Sequence, residues 1–77
     1  MPHDDLMNTS IDVRKLRNHR INAGHTCHSL SLAAGLAPMH VRHIEAGDRQ
    51  PRPATIKAIA DVLGCSVMDL LTEEAAA

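Results

Sequence analysis

The sequence predicts an all-α domain of five short helices, and three observations lead to this prediction. Each of the four glycines follows a stretch whose apolar residues recur with helical spacing, and a left-handed helix end favours glycine. No stretch alternates polar and apolar residues over the length of a strand. The 77 residues, 44% of them hydrophobic and none aromatic, suffice for one small aliphatic core.

The first two helices are expected over residues 10–22 and 27–34. Thr9 and Asp12 have the spacing of a capping box, which predicts the start of the first helix. Thr26 precedes the second apolar stretch and is a favourable N-cap, because its hydroxyl can accept a bond from a free backbone N–H.

The remaining three helices follow the second, third and fourth glycines. Residues 38–46 begin with a proline, which suits a first helical position, and residues 53–63 carry apolar side chains one helical turn apart. Ser66 and Asp69 form a second capping box at the start of the fifth helix. We therefore expect a helical domain over residues 10–72, between a flexible acidic arm at residues 1–9 and a frayed tail at residues 73–77.

The composition excludes several classes of protein. RNA-recognition sheets, OB-folds and readers of proline motifs stack their ligands on aromatic rings, which this chain lacks. Two cysteines are too few for a disulfide scaffold and predict reduced thiols. The sequence has no apolar run of membrane length and no signal peptide, so we expect a cytoplasmic protein without a membrane partner.

The net charge of −1 conceals a strong segregation of charge. Residues 13–57 contain all eight lysines and arginines and only two acids, and therefore carry +6. Three acids precede this stretch and four follow it, while five of the six histidines lie within it. Such a distribution predicts one cationic face, which would attract a polyanion.

Residues 26–47 are the most informative stretch, because two short helices meet there at a turn that contains Gly35. A turn of three or four residues with glycine allows the second helix to cross the first at a steep angle. The apolar residues expected to converge on one core are Leu30, Ala34, Leu36, Val41 and Ile44.

From about residue 13 to residue 71 the chain resembles the Cro/CI-type, lambda-repressor-like helix-turn-helix domain of the XRE family of bacterial and phage regulators. The most specific feature is the run Ile-Glu-x-Gly-x-Arg-x-Pro from Ile44 to Pro51. The other matching positions are Leu16, Arg20, Ala23, Gly24, Thr26, Leu30, Ala34, Gly35, Leu36, Val41, Thr55, Ile59, Ala60, Leu63, Gly64, Ser66, Leu70 and Leu71. The resemblance implies a DNA-binding regulator of transcription.

The resemblance also implies which residues contact DNA, with a recognition helix over residues 37–45 in the major groove. Arg42 is the first candidate for base reading, because its guanidinium can make two hydrogen bonds to a guanine edge. The expected base-reading residues are Pro38, Met39, His40, Arg42 and His43. The expected phosphate contacts are Thr26, Cys27 and His28 at a helix N-terminus and Arg49, Gln50 and Arg52 in the following loop.

By the same resemblance, Arg20 and Glu45 form a structural salt bridge, which prevents Glu45 from repelling DNA. Other positions depart from the family pattern: Cys27 replaces a common glutamine, His19 and His25 replace apolar residues, Ser31 replaces alanine, and Ala37 and Arg52 replace capping residues. Cys27 is also a candidate thiol sensor, because a helix N-terminus lowers the pKa of a cysteine.

Neither a metal, a cofactor nor an enzymatic activity is expected. The histidines and cysteines lack the paired spacings of a structural zinc site. The sequence also offers no nucleophile with a base and no glycine-rich phosphate loop.

A single module of this size contacts little DNA, so we expect a homodimer on a palindromic operator, acting as a repressor or autoregulator. The expected dimer surface consists of Val67, Met68, Leu70 and Leu71. Control through a regulatory protein partner is one possibility. An alternative function is a protein-interaction module, such as an antitoxin or adaptor, with weak or lost DNA binding.

Overall fold

The computed structural model describes residues 10–72, and this part of the chain is helical. The elements are α1 (Val13–Asn22), α2 (Cys27–Ala33), α3 (His40–Glu45), α4 (Pro53–Leu63) and a 3-10 helix (Val67–Leu70). Within residues 10–72 the only pairing of extended backbone is an isolated antiparallel bridge between Ile11 and Leu71. The all-α class is thus confirmed, although the fifth helix is 3-10. The predicted arm, residues 1–9, and the predicted tail, residues 73–77, lie outside the described residues.

The first helix begins three residues later than predicted. Asp12 is its N-cap, and the Asp12 carboxylate accepts hydrogen bonds from the N–H groups of Arg14 and Lys15 at 2.9 and 3.1 Å. Asp12 is thus the N-cap and not the third residue of the helix, and Thr9, the other member of the expected box, lies outside the described residues. Ile11, which was expected to be helical, is extended because it pairs with Leu71.

The predicted N-cap at Thr26 is confirmed and is part of a full capping box, and the predicted box at the 3-10 helix is confirmed as well. Thr26 Oγ1 accepts from the Ser29 N–H at 2.9 Å, and Ser29 Oγ accepts from the Thr26 N–H at 3.0 Å. Ser66 and Asp69 exchange the same pair of bonds at 3.3 and 3.0 Å. These short elements therefore begin where the sequence places them.

The third helix begins at His40 rather than at Pro38. Its N-cap, Met39, makes no side-chain capping bond. The His40 N–H instead donates to the Ala37 carbonyl at 3.0 Å, which closes a turn before the helix starts. Gly35, in the turn between α2 and α3, has a φ of 75°, a conformation that side chains with a Cβ rarely adopt.

One aliphatic core joins all five elements. Its buried residues are Ile11, Leu16, Leu30, Val41, Ile44, Ile56, Ile59, Ala60, Leu70 and Leu71. Ala34 and Leu36, which were expected in this core, are partly buried and pack against it. None of the described helices is long and apolar enough to cross a membrane.

The two ends of the described chain are joined beside α1. The Asp12 N–H donates to the Leu70 carbonyl at 2.8 Å, and Lys15 Nζ donates to the Leu71 carbonyl at 3.0 Å. Leu70 and Leu71 are 0% and 5% exposed. The prediction that Leu70 and Leu71 belong to a dimer surface is therefore wrong, because both side chains are buried in the core of the single chain.

Candidate nucleic-acid interface

The third helix divides its side chains between the core and solvent. Val41 and Ile44 are fully buried, whereas Arg42 and His43 are exposed. Pro38 and Met39, in the turn before the helix, are also exposed, but His40 is only partly so. Four of the five predicted base-reading residues are thus accessible, and the chemistry they offer is a guanidinium, an imidazole and two apolar side chains.

The fifth, His40, lies in a cleft that also contains the predicted phosphate-binding loop. This cleft of about 390 Å³ is lined by His40, Arg49, Gln50, Pro51, Arg52 and Thr55. Partial burial lowers the pKa of His40, and the positive charges of Arg49 and His43 lower it further. The cleft therefore brings the imidazole at the start of α3 next to two arginines of the loop that follows the helix.

The two acidic residues near α3, Glu45 and Asp48, differ in their exposure to solvent. Asp48 is 71% exposed, and its carboxylate lies 4.0 Å from Nδ1 of His43. Glu45 is only 6% exposed and faces α1. Asp48, in the loop after α3, is thus the acidic group of this region that solvent reaches, and it lies close to the imidazole of His43.

The predicted salt bridge between Arg20 and Glu45 is confirmed. Arg20 Nε donates to Glu45 Oε2 at 2.6 Å and Nη2 donates to Oε1 at 3.1 Å, while Nη1 donates to the His25 carbonyl at 2.9 Å. The hydrogen bond that Arg20 donates to Glu45 raises the pKa of Arg20. Arg17 adds a longer contact of 3.5 Å to the same carboxylate. The pair connects α1 to the last residue of α3.

The N-terminus of α2 presents exposed Thr26 and His28 and a partly buried Cys27. The Cys27 side chain packs against the core, so burial raises the pKa of its thiol, and the carboxylate of Glu45 raises it further. The expectation of a lowered thiol pKa is therefore wrong, because burial disfavours the charged thiolate. Only the backbone N–H of Cys27 remains suited to a phosphate contact.

Ser31 is a residue of this region whose role the sequence reasoning missed. Its side chain is fully buried, and its Oγ donates to the Cys27 carbonyl at 2.8 Å and accepts from the Val41 N–H at 3.0 Å. The signal in the sequence was a hydroxyl at a core-facing position where alanine is usual. Thr55 and Pro51 in the cleft were also not assigned to the site.

The histidines and cysteines do not converge on one point. Within residues 10–72, no three side chains of His, Cys, Asp or Glu are grouped closely enough to hold a metal ion. Cys27 and Cys65 are both free thiols. What this region presents to solvent is therefore a set of basic and hydrogen-bonding side chains, including Arg42, His43, Arg49 and Arg52.

Comparisons with known proteins agree with this geometry. The sequence profile of the helix-turn-helix family HTH_3 matches residues 13–70. Among solved structures, a chain of the SinR protein/SinI protein complex superposes with a TM-score of 0.73 at 25% identity, covering 80% of this chain and 61% of that one. This chain thus spans about three fifths of its structural neighbour's length. No curated protein sequence matches it. Because the profile covers most of the described residues, the chain belongs to the HTH_3 helix-turn-helix family, among its XRE-like DNA-binding regulators.

Proposed function

We propose that the chain regulates transcription by binding specific sequences of double-stranded DNA as a homodimer. The observation that carries this proposal is the exposed side of α3 next to a cationic cleft, while Glu45 is held away by Arg20. Such a cationic face suits the binding of a polyanion. Such a regulator would act in the cytoplasm, on the nucleoid.

In the proposed complex, α3 lies in the major groove and reads base edges. Arg42 makes two hydrogen bonds to a guanine, which a planar guanidinium can do with a fixed geometry. Met39, 47% exposed, contacts a thymine methyl group. His40, His43 and Pro38 complete the proposed base-reading surface.

The phosphates are contacted on both sides of α3. Arg49, Gln50 and Arg52 hold one strand from the cleft, and the start of α2 at residues 26–28 holds the other. These contacts supply affinity for any duplex and orient α3, whereas discrimination between sequences comes from α3 itself.

A palindromic operator follows from the size of the domain. One module of 8.3 kDa contacts few base pairs, and two copies on half-sites about one helical turn apart double the specific contacts. Val67, partly exposed, and Met68, 52% exposed, are the accessible members of the proposed dimer surface. Repression or autoregulation would follow where the operator overlaps a promoter.

We also propose that the chain binds a regulatory protein partner. The structural neighbour SinR occurs in a complex with another protein, SinI. Exposed apolar side chains of this domain, including Ile21 and Leu32, offer contacts that DNA does not use. Binding to a partner protein with no duplex bound would support the alternative of an interaction module.

The decisive experiment is selection of bound duplexes from a random pool at physiological salt, followed by titration of the selected duplex. We expect a palindromic consensus and an affinity that falls steeply as salt increases. The complex should contain two protein chains per duplex, as measured by analytical ultracentrifugation. Failure to enrich any sequence, at protein concentrations that saturate unrelated DNA, would exclude sequence-specific binding.

A further inference from the structure

We propose that Ser31 is a positioning residue: from α2 it supplies the N-terminal cap that α3 lacks, and it thereby determines how well the domain discriminates between duplexes. This inference rests on the proposed function, because it assigns the reading of bases to α3. The residue does not itself touch DNA, since its side chain is fully buried.

The start of α3 has no cap of its own. The first amides of a helix have no partner within the helix and need an acceptor from elsewhere. Met39, at the N-cap, makes no side-chain bond, and Ala37 in the preceding turn has no hydroxyl. The Val41 N–H, at the second position of the helix, instead donates to Ser31 Oγ at 3.0 Å. The missing cap is therefore supplied across the turn.

The orientation of the Ser31 hydroxyl is determined by its second bond. Its proton is donated to the Cys27 carbonyl, one turn earlier in α2, at 2.8 Å. A hydroxyl has one proton to donate and two lone pairs, so this bond leaves its acceptor side directed at α3. The bond to Val41 is buried and the bond to Cys27 is partly buried, so the start of α3 is held at a defined place on α2.

The recognition helix is thus attached at both ends. Ser31 holds its first turn to α2, and Arg20 holds its last residue, Glu45, to α1. A helix of only six residues is not stable by itself, so these two attachments and the core determine where it lies. Arg42 directly follows Val41, and base reading tolerates little displacement of its guanidinium.

Loss of the Ser31 hydroxyl should therefore affect specific binding more than general binding. The phosphate contacts proposed for Arg49 and Arg52 come from the loop after α3, whereas the two bonds of the Ser31 hydroxyl go to α2 and to the start of α3. A shift at the start of α3 would weaken base contacts while most phosphate contacts persist. The expected signature is a smaller ratio between the affinities for the selected and an unrelated duplex.

The test compares Ser31→Ala with Ser66→Ala. Each substitution removes a hydroxyl that accepts from a backbone N–H, but Ser66 caps the 3-10 helix, which packs mainly on α1 and α4. Both affinities are measured at a temperature where circular dichroism shows all variants folded. We expect Ser31→Ala to reduce the ratio of the affinities for the selected and the unrelated duplex about tenfold, which is the effect of losing one hydrogen bond to a base. Ser66→Ala should leave this ratio unchanged.

Amide hydrogen exchange in the free protein tests the cap without DNA. In Ser31→Ala, exchange of the Val41 amide should accelerate relative to that of Ile44, which is bonded within the helix. Equal losses of discrimination in the two serine variants, or unchanged exchange at Val41, would overturn the inference. If the wild-type chain binds all duplexes equally, the proposed function fails, and so does the predicted effect of Ser31→Ala on discrimination between duplexes. The exchange rate of the Val41 amide would still decide whether Ser31 caps α3.

Discussion

Ser31 and Val41 are joined by a hydrogen bond of 3.0 Å across the turn between the two helices of the helix-turn-helix. The bond satisfies a buried backbone N–H at the start of α3, where the local sequence offers no capping side chain. Among the described residues, no buried side-chain nitrogen or oxygen lacks a partner, so this serine is part of a fully satisfied interior.

Ser31→Ala should lower the free energy of unfolding by about 1–3 kcal/mol, because the Val41 N–H loses its acceptor in a buried place. Urea unfolding followed by far-UV circular dichroism measures this, since the chain has no tryptophan or tyrosine to report by fluorescence. Ser66→Ala, at an exposed cap, should cost only about 1 kcal/mol. Equal urea midpoints for wild type and Ser31→Ala would contradict the prediction.

Replacing only one partner of the Arg20–Glu45 pair should lower the free energy of unfolding more than replacing both. Arg20→Met leaves the Glu45 carboxylate, 6% exposed, without its main partner, at a cost of about 3 kcal/mol. Arg20→Met with Glu45→Met should recover part of that loss, because no unpaired charge stays in the interior. A double-mutant cycle by urea unfolding measures the coupling, and strictly additive losses would show that the two groups do not interact.

Arg42→Ala should weaken binding to the selected duplex by about 1–3 kcal/mol while changing binding to unrelated DNA much less. Arg42→Lys retains the charge but not the planar pair of donors, so it should restore little of the discrimination. Competition titrations with both duplexes separate the two effects. If Arg42→Lys binds the selected duplex as tightly as wild type, Arg42 contributes only its charge.

Arg49→Gln and Arg52→Gln should weaken binding to all duplexes alike. Each removes one proposed phosphate contact, so the slope of the logarithm of affinity against the logarithm of salt concentration should fall by about 1. Lys57→Gln is the matched control, because Lys57 is engaged with Asp61 at 2.8 Å on α4 and has no proposed DNA contact. A slope that changes equally in all three variants would point to net charge rather than to the cleft.

His40 should make the domain less stable as pH falls. Its pKa is lowered by burial and by the charges of Arg49 and His43, so the folded chain binds this proton more weakly than the unfolded chain. Stability is therefore lost as pH falls through the ordinary value of 6.5, and the loss is complete below the folded pKa. His40→Gln should reduce the change in urea midpoint between about pH 7.5 and about pH 5.5. Full retention of the wild-type change in His40→Gln would refute this assignment.

Several features of the site were predictable because they depend on local patterns. The capping boxes at Thr26 and Ser66 use side chains three residues apart, and such bonds form whatever the rest of the chain does. The Arg20–Glu45 pair was predicted from the resemblance to a family, since no local rule joins residues on different helices. The start of α3 was misplaced at Pro38, because a favourable first residue does not show where the turn ends.

The sequence by itself determined the helical class, the order of the helices, the glycine turn between the second and third, and the segregation of positive charge. Each of these follows from spacing along the chain or from composition. Only the tertiary structure decided that Leu70 and Leu71 are buried, that the pKa of Cys27 is raised, and that Ser31 caps a helix to which it does not belong. The physical reason is that burial and hydrogen-bond partners depend on which distant segments of the chain pack together. The spacing of residues along the chain does not determine that packing.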